Sequence, residues 1–168
     1  MNREKTLVLD KKQLGQKVNR IAWQVLEDNF TESEIIVAGI AKTGFLLAQR
    51  IVDVLAKISP FKIKLVKIIL DKENPLSCAI EPNLSQAELK GKVVVLVDDV
   101  LNSGMTLTYS LRPFLDSGTR KIRTVILVDR SHKRYPTAAD FTGISLATTM
   151  QEHITVDLES GSDSVTLS

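Results

Sequence analysis

Cysteine is nearly absent from this sequence, since Cys78 is the only one among 168 residues. A single cysteine excludes a disulfide bond within the chain, and such low usage is typical of the reducing cytosol. Cys78 lies in a polar stretch without an evident partner, which favours an exposed spectator over a reactive nucleophile. We therefore expect no thiol chemistry from this chain.

Long hydrophobic runs and an excess of charge of one sign are also missing. No apolar run approaches the roughly 20 residues that a membrane span requires, and Leu7-Val8-Leu9 is too short for the core of a signal peptide. The 22 basic residues nearly balance the 20 acidic ones, so no global field indicates a nucleic-acid or membrane binder. We expect a soluble, cytoplasmic protein without a membrane partner, folded as one domain over residues 1–168.

The most informative stretch is Val93–Thr106, VVVLVDDVLNSGMT. Its five aliphatic residues, Val93–Val97, predict a strand buried on both faces of a parallel sheet. Asp98 and Asp99 then lie at the carboxyl end of that strand, the edge at which open α/β sheets bind ligands. A strand followed by two acids, taken alone, also fits a Walker B strand, a phosphoacceptor site or a plain strand end.

The loop after the two acids narrows these alternatives. Asn102, Ser103 and Gly104 can turn sharply and expose backbone N–H groups, and a helix begins near Met105. The amino terminus of a helix carries free amides and a partial positive charge, which together hold a phosphate. Carboxylates for sugar hydroxyls beside a phosphate cradle predict a ligand built like ribose 5-phosphate.

The first half of the chain repeats the order of strand, short loop and helix. Asp10 is suited to cap a helix over residues 11–29. Glu34–Ile40 predicts a buried strand, followed by a loop with a cation and a glycine (residues 41–44) and by a helix over Phe45–Lys57. Lys62–Leu70 predicts a strand with one wet face, and the polar residues 71–90 are long enough for a functional lid.

The second half predicts a helix over Met105–Asp116 and a buried strand over Ile122–Val128. Acidic and basic side chains follow at the carboxyl end of that strand, in residues 129–134. The remaining short runs, which begin at Phe141, predict a small antiparallel appendage. The alternation of strands and helices predicts an α/β fold with a mainly parallel sheet.

The stretch VVVLVDDVLNSGMT resembles the phosphoribosyl-pyrophosphate (PRPP) signature of type I phosphoribosyltransferases. The resemblance implies their fold, a mainly parallel twisted sheet flanked by helices with a small hood and antiparallel appendage, and Mg²⁺ bound through PRPP oxygens rather than directly by protein side chains. It implies catalytic roles for Asp98, Asp99 and Lys72, with residues 71–90 as a flexible hood. It also implies a PRPP-binding loop of Val100, Leu101, Asn102, Ser103, Gly104, Met105 and Thr106, and a pyrophosphate-binding loop of Ala41, Lys42, Thr43 and Gly44.

The later stretch VILVDRSHKRYPTAADFTG and the closing acidic hairpin are similar to one branch of this family. Its members combine uracil phosphoribosyltransferase activity with attenuation of pyrimidine operons. The resemblance implies formation of UMP and pyrophosphate from uracil and Mg-PRPP, and a homodimer or higher homo-oligomer. It further implies a base pocket of Asp129, Arg130, Phe141 and Thr142, and an RNA-binding face of Arg20, His132 and Lys133.

Several positions depart from that branch. Lys72 stands where its hood has an arginine, and a lysine cannot make the bidentate phosphate contact of an arginine. Met105 also replaces an arginine, and Thr43 stands where a second basic residue is common. Two alternatives therefore remain: a weakly catalytic or non-catalytic regulator that senses nucleotides and binds RNA, and a phosphoribosyltransferase for another base, such as a purine.

Overall fold

The structure, a computed structural model, describes residues 5–71 and 73–168. Lys72, predicted to contact pyrophosphate, lies outside the described residues. The elements follow one another as β1 Thr6–Leu9, α1 Lys11–Asn29, β2 Glu34–Ile40, α2 Ala41–Ile58, β3 Lys62–Ile69, β4 Ala79–Glu81, α3 Gln86–Leu89, β5 Val93–Leu101, α4 Met105–Asp116, β6 Lys121–Asp129, β7 Phe141–Ser145, β8 Ile154–Asp157 and β9 Ser164–Leu167. None of the helices in these ranges is long and apolar enough to cross a membrane.

A six-stranded sheet forms the centre of the fold, in the order β4-β3-β2-β5-β6-β7. Strands β3, β2, β5, β6 and β7 are parallel, and β4 pairs antiparallel with β3 at one edge. A second, antiparallel sheet joins β1, β9 and β8. The predicted fold class, a mainly parallel sheet flanked by helices with a small antiparallel appendage, is confirmed.

The central strands are buried because a separate apolar cluster covers each face of the sheet. On one face Val93, Val95 and Val97 pack with residues of α1 and α2. On the other face Val94 and Leu96 pack with Leu107 and Phe114 of α4. This two-sided burial is the reason that the strand is continuously aliphatic rather than alternating.

The helices begin and end largely where the sequence predicted, with one difference. Asp10 caps α1 in a capping box, in which its side chain accepts a hydrogen bond from the backbone N–H of Gln13. Helix α4 covers the predicted residues. Helix α2, however, begins at Ala41 rather than at Phe45, so the predicted pyrophosphate loop is the first turn of a helix.

Other boundaries also differ from the predictions. Strand β5 continues through both acids to Leu101, because residues up to that point pair with β6. Phe141–Ser145 is not part of the antiparallel appendage but forms the edge strand β7 of the main sheet. The predicted hood, residues 71–90, contains β4 and α3, because Ile80, Leu84 and Leu89 are buried against the sheet. Cys78 packs there half-buried rather than exposed, and burial raises the pKa of its thiol.

The turn between β8 and β9 is tied to α2 by an ion pair between Arg50 and Asp163. Arg50 donates hydrogen bonds to both carboxylate oxygens of Asp163, one of them at 3.0 Å, and to the carbonyl oxygen of Leu158 at 3.1 Å. Only 3% of Asp163 is exposed. The hydrogen bonds from Arg50, more than its charge, lower the pKa of Asp163 below its ordinary value.

We expect Asp163→Asn to lower the free energy of unfolding at pH 7 by about 1–3 kcal/mol, because a charge-assisted hydrogen-bond pair is lost. A carboxylate whose pKa is lowered in the folded state stabilises the fold above its unfolded pKa of about 4, and this stabilisation disappears as the pH falls through the lower folded value. Urea unfolding at pH 7 and pH 3 should therefore show the difference between wild type and variant shrinking in acid. The exposed Asp116→Asn is the control, and a difference that is equal at both pH values would contradict the assignment.

Candidate functional site

The site lies at the carboxyl edge of the parallel sheet, between β2 and β5. Strand order reverses there, since β3 flanks β2 on one side and β6 flanks β5 on the other. Helix α2 begins directly after β2, and α4 begins after the short loop that follows β5. A cavity of about 540 Å³ opens between them, lined by residues 40–44 and 98–107 together with Arg130, His153 and Ile154. This is the topological switch point at which open α/β sheets bind ligands.

The two predicted catalytic acids both line this cavity. Asp98 is buried, with 8% of its surface exposed, and Asp99 is half-buried. Oδ1 of Asp98 accepts the backbone N–H of Asp99 at 2.9 Å, and Oδ1 of Asp99 accepts that of Val100 at 2.8 Å. A Cβ atom on Gly44 would lie 3.1 Å from Oδ1 of Asp98, so the first turn of α2 packs closely against this acid. Sequence order alone did not reveal this contact.

The predicted phosphate loop, residues 100–106, lines the same cavity throughout. It turns at Gly104, whose φ of 84° is in the left-handed region, and Ser103 Oγ accepts the N–H of Met105 at 3.3 Å. The carbonyl oxygen of Ser103 accepts the N–H groups of Arg134 at 2.7 Å and Tyr135 at 3.1 Å. The backbone N–H groups of residues 134 and 135 therefore anchor the loop. This anchoring fixes the start of α4 beside the cavity.

The predicted pyrophosphate residues, 41–44, lie opposite the phosphate loop. Ala41 has a φ of 51°, which non-glycine residues seldom adopt and which is found most often at functional sites. The ammonium group of Lys42 lies 2.7 Å from the carboxylate of Glu159, in the turn between β8 and β9, and both side chains are exposed. The predicted cation thus already has an anionic partner from a distant part of the chain.

A second cavity, of about 520 Å³, adjoins the first and shares Asn102, Ser103, Arg130 and His153 with it. Arg130, predicted to contact the base, forms part of the boundary, and 6% of its surface is exposed. Its guanidinium donates to the hydroxyl of Thr148 at 3.0 Å and to the carbonyl oxygens of Thr149 at 3.2 Å and Glu152 at 2.6 Å. Arg130 therefore fixes the loop that carries His153 to the cavity.

Two other predicted base-binding residues do not reach either cavity. Phe141 pairs with Val125 and Thr142 with Ile126, whereas Ser145 is opposite Asp129 at the carboxyl edge. Four residues of strand separate Phe141 from that edge by about 13 Å, and its ring packs against the core. The placement of Phe141 and Thr142 in the base pocket is therefore corrected.

The residues that arrive instead are His153 and Ile154, at the start of β8. Nothing in their local sequence indicates this position, because the contact depends on how the C-terminal hairpin folds back. Asp129 lies at the edge as predicted, but its carboxylate accepts the N–H of Ser131 at 2.8 Å and pairs with Lys133 at 3.5 Å.

The three predicted RNA-binding residues all have partners within the chain. Arg20 donates to the carbonyl oxygens of Thr142 at 3.1 Å and Gly143 at 2.8 Å, on the β7 edge. His132 Nε2 lies 2.6 Å from the carbonyl oxygen of Thr148, and Lys133 pairs with Asp129. His132 and Lys133 line the second cavity, whereas Arg20 contacts the middle of β7.

The fold and the cavity are those of a phosphoribosyltransferase, and the family comparison agrees. The chain belongs to the phosphoribosyl transferase domain family, whose model matches residues 6–160.

Within this family the chain is similar to curated proteins called bifunctional protein PyrR. It is 33% identical over 162 residues to the one from Clostridium acetobutylicum, covering 92% of this chain and 91% of the relative. The protein of that name from Pelotomaculum thermopropionicum is 32% identical over 168 residues, covering 95% and 92%. The predicted branch of the family is thereby confirmed.

Solved structures agree on the fold. A hypoxanthine-guanine phosphoribosyltransferase from Bacillus anthracis superposes with a TM-score of 0.70 at 21% identity, covering 86% of this chain and 84% of that one. The hypoxanthine phosphoribosyltransferase of Trypanosoma cruzi gives 0.71 at 14% identity, covering 84% and 81%. These similarities establish the type I phosphoribosyltransferase fold.

Proposed function

We propose that this protein transfers the phosphoribosyl group of Mg-PRPP to a nucleobase, and that uracil, which yields UMP and pyrophosphate, is the first candidate. One observation carries the proposal. An acid pair and the amino termini of two helices converge on one cavity at the switch point of the sheet. That arrangement matches the three parts of PRPP, which are a ribose, a 5′-phosphate and a pyrophosphate.

The 5′-phosphate binds the loop at the start of α4. Backbone amides of residues 103–106 and the partial positive charge of the helix hold its oxygens. The backbone of residues 134 and 135 keeps the carbonyl oxygen of Ser103 engaged, so that oxygen is turned toward donors rather than toward the anion. Asp98 and Asp99 hold the ribose hydroxyls between this loop and α2.

The pyrophosphate binds the first turn of α2, on the other side of the ribose. The amides of residues 42–44 and the Lys42 ammonium face it there, and Glu159 leaves Lys42 when the more highly charged ligand arrives. Positioning both ends of PRPP aligns the ribose anomeric carbon with the attacking base nitrogen. The enzyme therefore acts by orientation and charge stabilisation and requires no covalent nucleophile.

The residues of the cavity fit a magnesium ion that enters with the substrate. Mg²⁺ prefers oxygen ligands and keeps several waters, and two adjacent carboxylates line the cavity. Among the described residues no group of three His, Cys, Asp or Glu side chains is placed to hold a metal ion. Asp98 and Asp99 are the residues that would hold the ion, through water, and the chemistry it would supply is neutralisation of charge on the leaving pyrophosphate.

The base occupies the second cavity, next to the anomeric carbon. Arg130 and His153 line both cavities and therefore lie at the junction of ribose and base. Closure of residues 71–90 over the substrates stays a prediction, as does a contact from Lys72.

We expect Mg-PRPP or Mg-UMP to raise the melting temperature of the protein. A ligand that binds only the folded state stabilises it by about 2.7 kcal/mol at a hundredfold excess over Kd, which corresponds to several degrees for a chain of this size. Differential scanning fluorimetry measures the shift, with Mg²⁺ alone and PRPP plus EDTA as controls. Product formation is then followed with a panel of pyrimidine and purine bases. If neither ligand moves the melting curve, the ribose-phosphate assignment is wrong; if a purine is preferred, only the base is wrong.

RNA binding receives less support. The relatives are called bifunctional, but Arg20, His132 and Lys133 are each engaged within this chain. Cations that already have acceptors contribute less to binding a phosphate backbone. A cytoplasmic location and a homodimer or larger homo-oligomer likewise stay predictions.

A further inference from the structure

The charged side chains that line the second cavity are all basic. Arg130, Lys133 and Arg134 line it together with His132 and His153. Among the described residues around this cavity, the lining contains no aspartate or glutamate. A surface that receives a neutral base does not require three permanent cations, so their presence needs an explanation.

These cations are incompletely neutralised by the rest of the chain. Arg130 donates its hydrogen bonds to uncharged oxygens only. These are the hydroxyl of Thr148 and the backbone carbonyl oxygens of Thr149 and Glu152. Within the part of the chain that is described, the Arg134 guanidinium has no hydrogen-bond or ion-pair partner. Lys133 is paired with Asp129 at 3.5 Å. Of these three cations only Arg130 is buried, and a buried guanidinium without a carboxylate partner is costly unless a ligand supplies negative charge.

The nearest acidic groups are committed elsewhere. Besides its pairing with Lys133, Asp129 accepts the N–H of Ser131. The Glu152 carboxylate accepts the N–H of Thr149 at 2.6 Å, and this bond, more than the charge of Arg130, lowers the pKa of Glu152. Neither carboxylate lines the cavity. The lining of the second cavity, in the described part of the chain, therefore carries basic side chains and no acidic one.

We infer that the second cavity binds the acceptor base as its anion, and so selects bases with an acidic ring N–H. This inference rests on the proposed function and specifies its substrate class. The base first releases its N–H proton to solvent. The nitrogen lone pair then forms the bond to the anomeric carbon as the C–O bond to pyrophosphate breaks, and pyrophosphate leaves with that electron pair. Stabilisation of the anion by Arg130 and Arg134 replaces proton removal by a general base.

Arg134 is the residue to change, because its side chain is exposed and its only described bond is made by its backbone. We expect Arg134→Gln to lower kcat/KM for uracil about tenfold, the effect of losing one partly solvated charge near the reacting group. The loss should be smaller for 5-fluorouracil, whose N–H is more acidic and needs less stabilisation. Arg134→Lys should keep most of the activity, and Arg112→Gln, an exposed arginine on α4, should change nothing. The KM for PRPP should stay the same in all variants.

An equal loss for the two bases, or no loss, overturns the inference. A second measurement does not depend on turnover: the ultraviolet difference spectrum of 5-fluorouracil bound in the presence of Mg-pyrophosphate should show the anion, and a spectrum of the neutral base overturns the inference. If His153→Gln, rather than Arg134→Gln, lowers kcat/KM more for uracil than for 5-fluorouracil, then His153 removes the proton and the inference is also wrong. Failure of the proposed function is distinct, because it appears as the absence of a PRPP-induced thermal shift.

Discussion

Replacing Asp99 with asparagine is expected to lower kcat/KM at least about a hundredfold, the usual effect of removing one electrostatic contact to a transition state. Asp99 lies at the carboxyl end of β5 and lines the cavity half-buried. Its carboxylate accepts one local hydrogen bond, from the N–H of Val100 at 2.8 Å, and an asparagine oxygen can accept the same bond. The substitution therefore removes charge from the site and little else, and the free energy of unfolding should change by less than about 1 kcal/mol.

Two measurements on the same preparation separate the possible roles of Asp99. Initial rates of nucleotide formation report the activity, and urea denaturation reports the stability. Asp116→Asn is the matched control, because Asp116 is an exposed aspartate at the end of α4. If Asp99→Asn unfolds the protein while the folded fraction still binds PRPP normally, then Asp99 supports the fold and does not act on the ligand.

Gly39→Ala is expected to destabilise the protein by about 1–3 kcal/mol, as overpacking of a filled interior usually does. An added Cβ atom would lie 2.4 Å from Cα of Phe45 and 2.9 Å from the carbonyl oxygen of Gly44. Both contacts are to backbone atoms of α2, so the helix must move away from β2. Because the first turn of α2 faces the acid pair, its movement also displaces the pyrophosphate site. We therefore expect the KM for PRPP to rise together with the loss of stability.

The matched control is Gly15→Ala in α1. Nothing lies within 4 Å of a Cβ atom built there, so alanine gains helix propensity at no steric cost. This variant should be more stable than wild type by roughly 0.5–1 kcal/mol. Thermal melts of the two variants test the pair. A neutral Gly39→Ala would mean that α2 does not pack as closely on β2 as the structure indicates.

Much of the fold was predictable because it depends on neighbours in the sequence. The side chain of Asp10 caps α1, the aliphatic run at Val93 forms the central strand, and the loop at Gly104 leads into α4. Each is set by local propensity, capping chemistry or the period of the apolar residues. The placement of Asp98 and Asp99 at the carboxyl edge followed from the same reasoning, since parallel strands end together.

The secondary-structure prediction was less accurate where a few buried apolar residues determine the structure of a segment that is polar in composition. Residues 79–90 are polar overall, yet Ile80 and Leu89 are buried against the sheet, which makes part of the predicted hood a strand and a short helix. The start of α2 was misplaced by four residues, because Ala41 enters the helix with a left-handed φ that its sequence does not signal.

The sequence by itself determined the family, the fold class, the acid pair and the phosphate loop of this protein. Each of these depends on the chemistry of residues that are consecutive in the chain. Tertiary structure alone decided which residues meet from distant segments. It removed Phe141 from the base side through the register of β7, brought His153 to the cavity that Arg130 lines, and set Glu159 against Lys42. The physical reason is that strand register and the docking of the C-terminal hairpin are fixed by packing over the whole sheet, and no local pattern records the outcome.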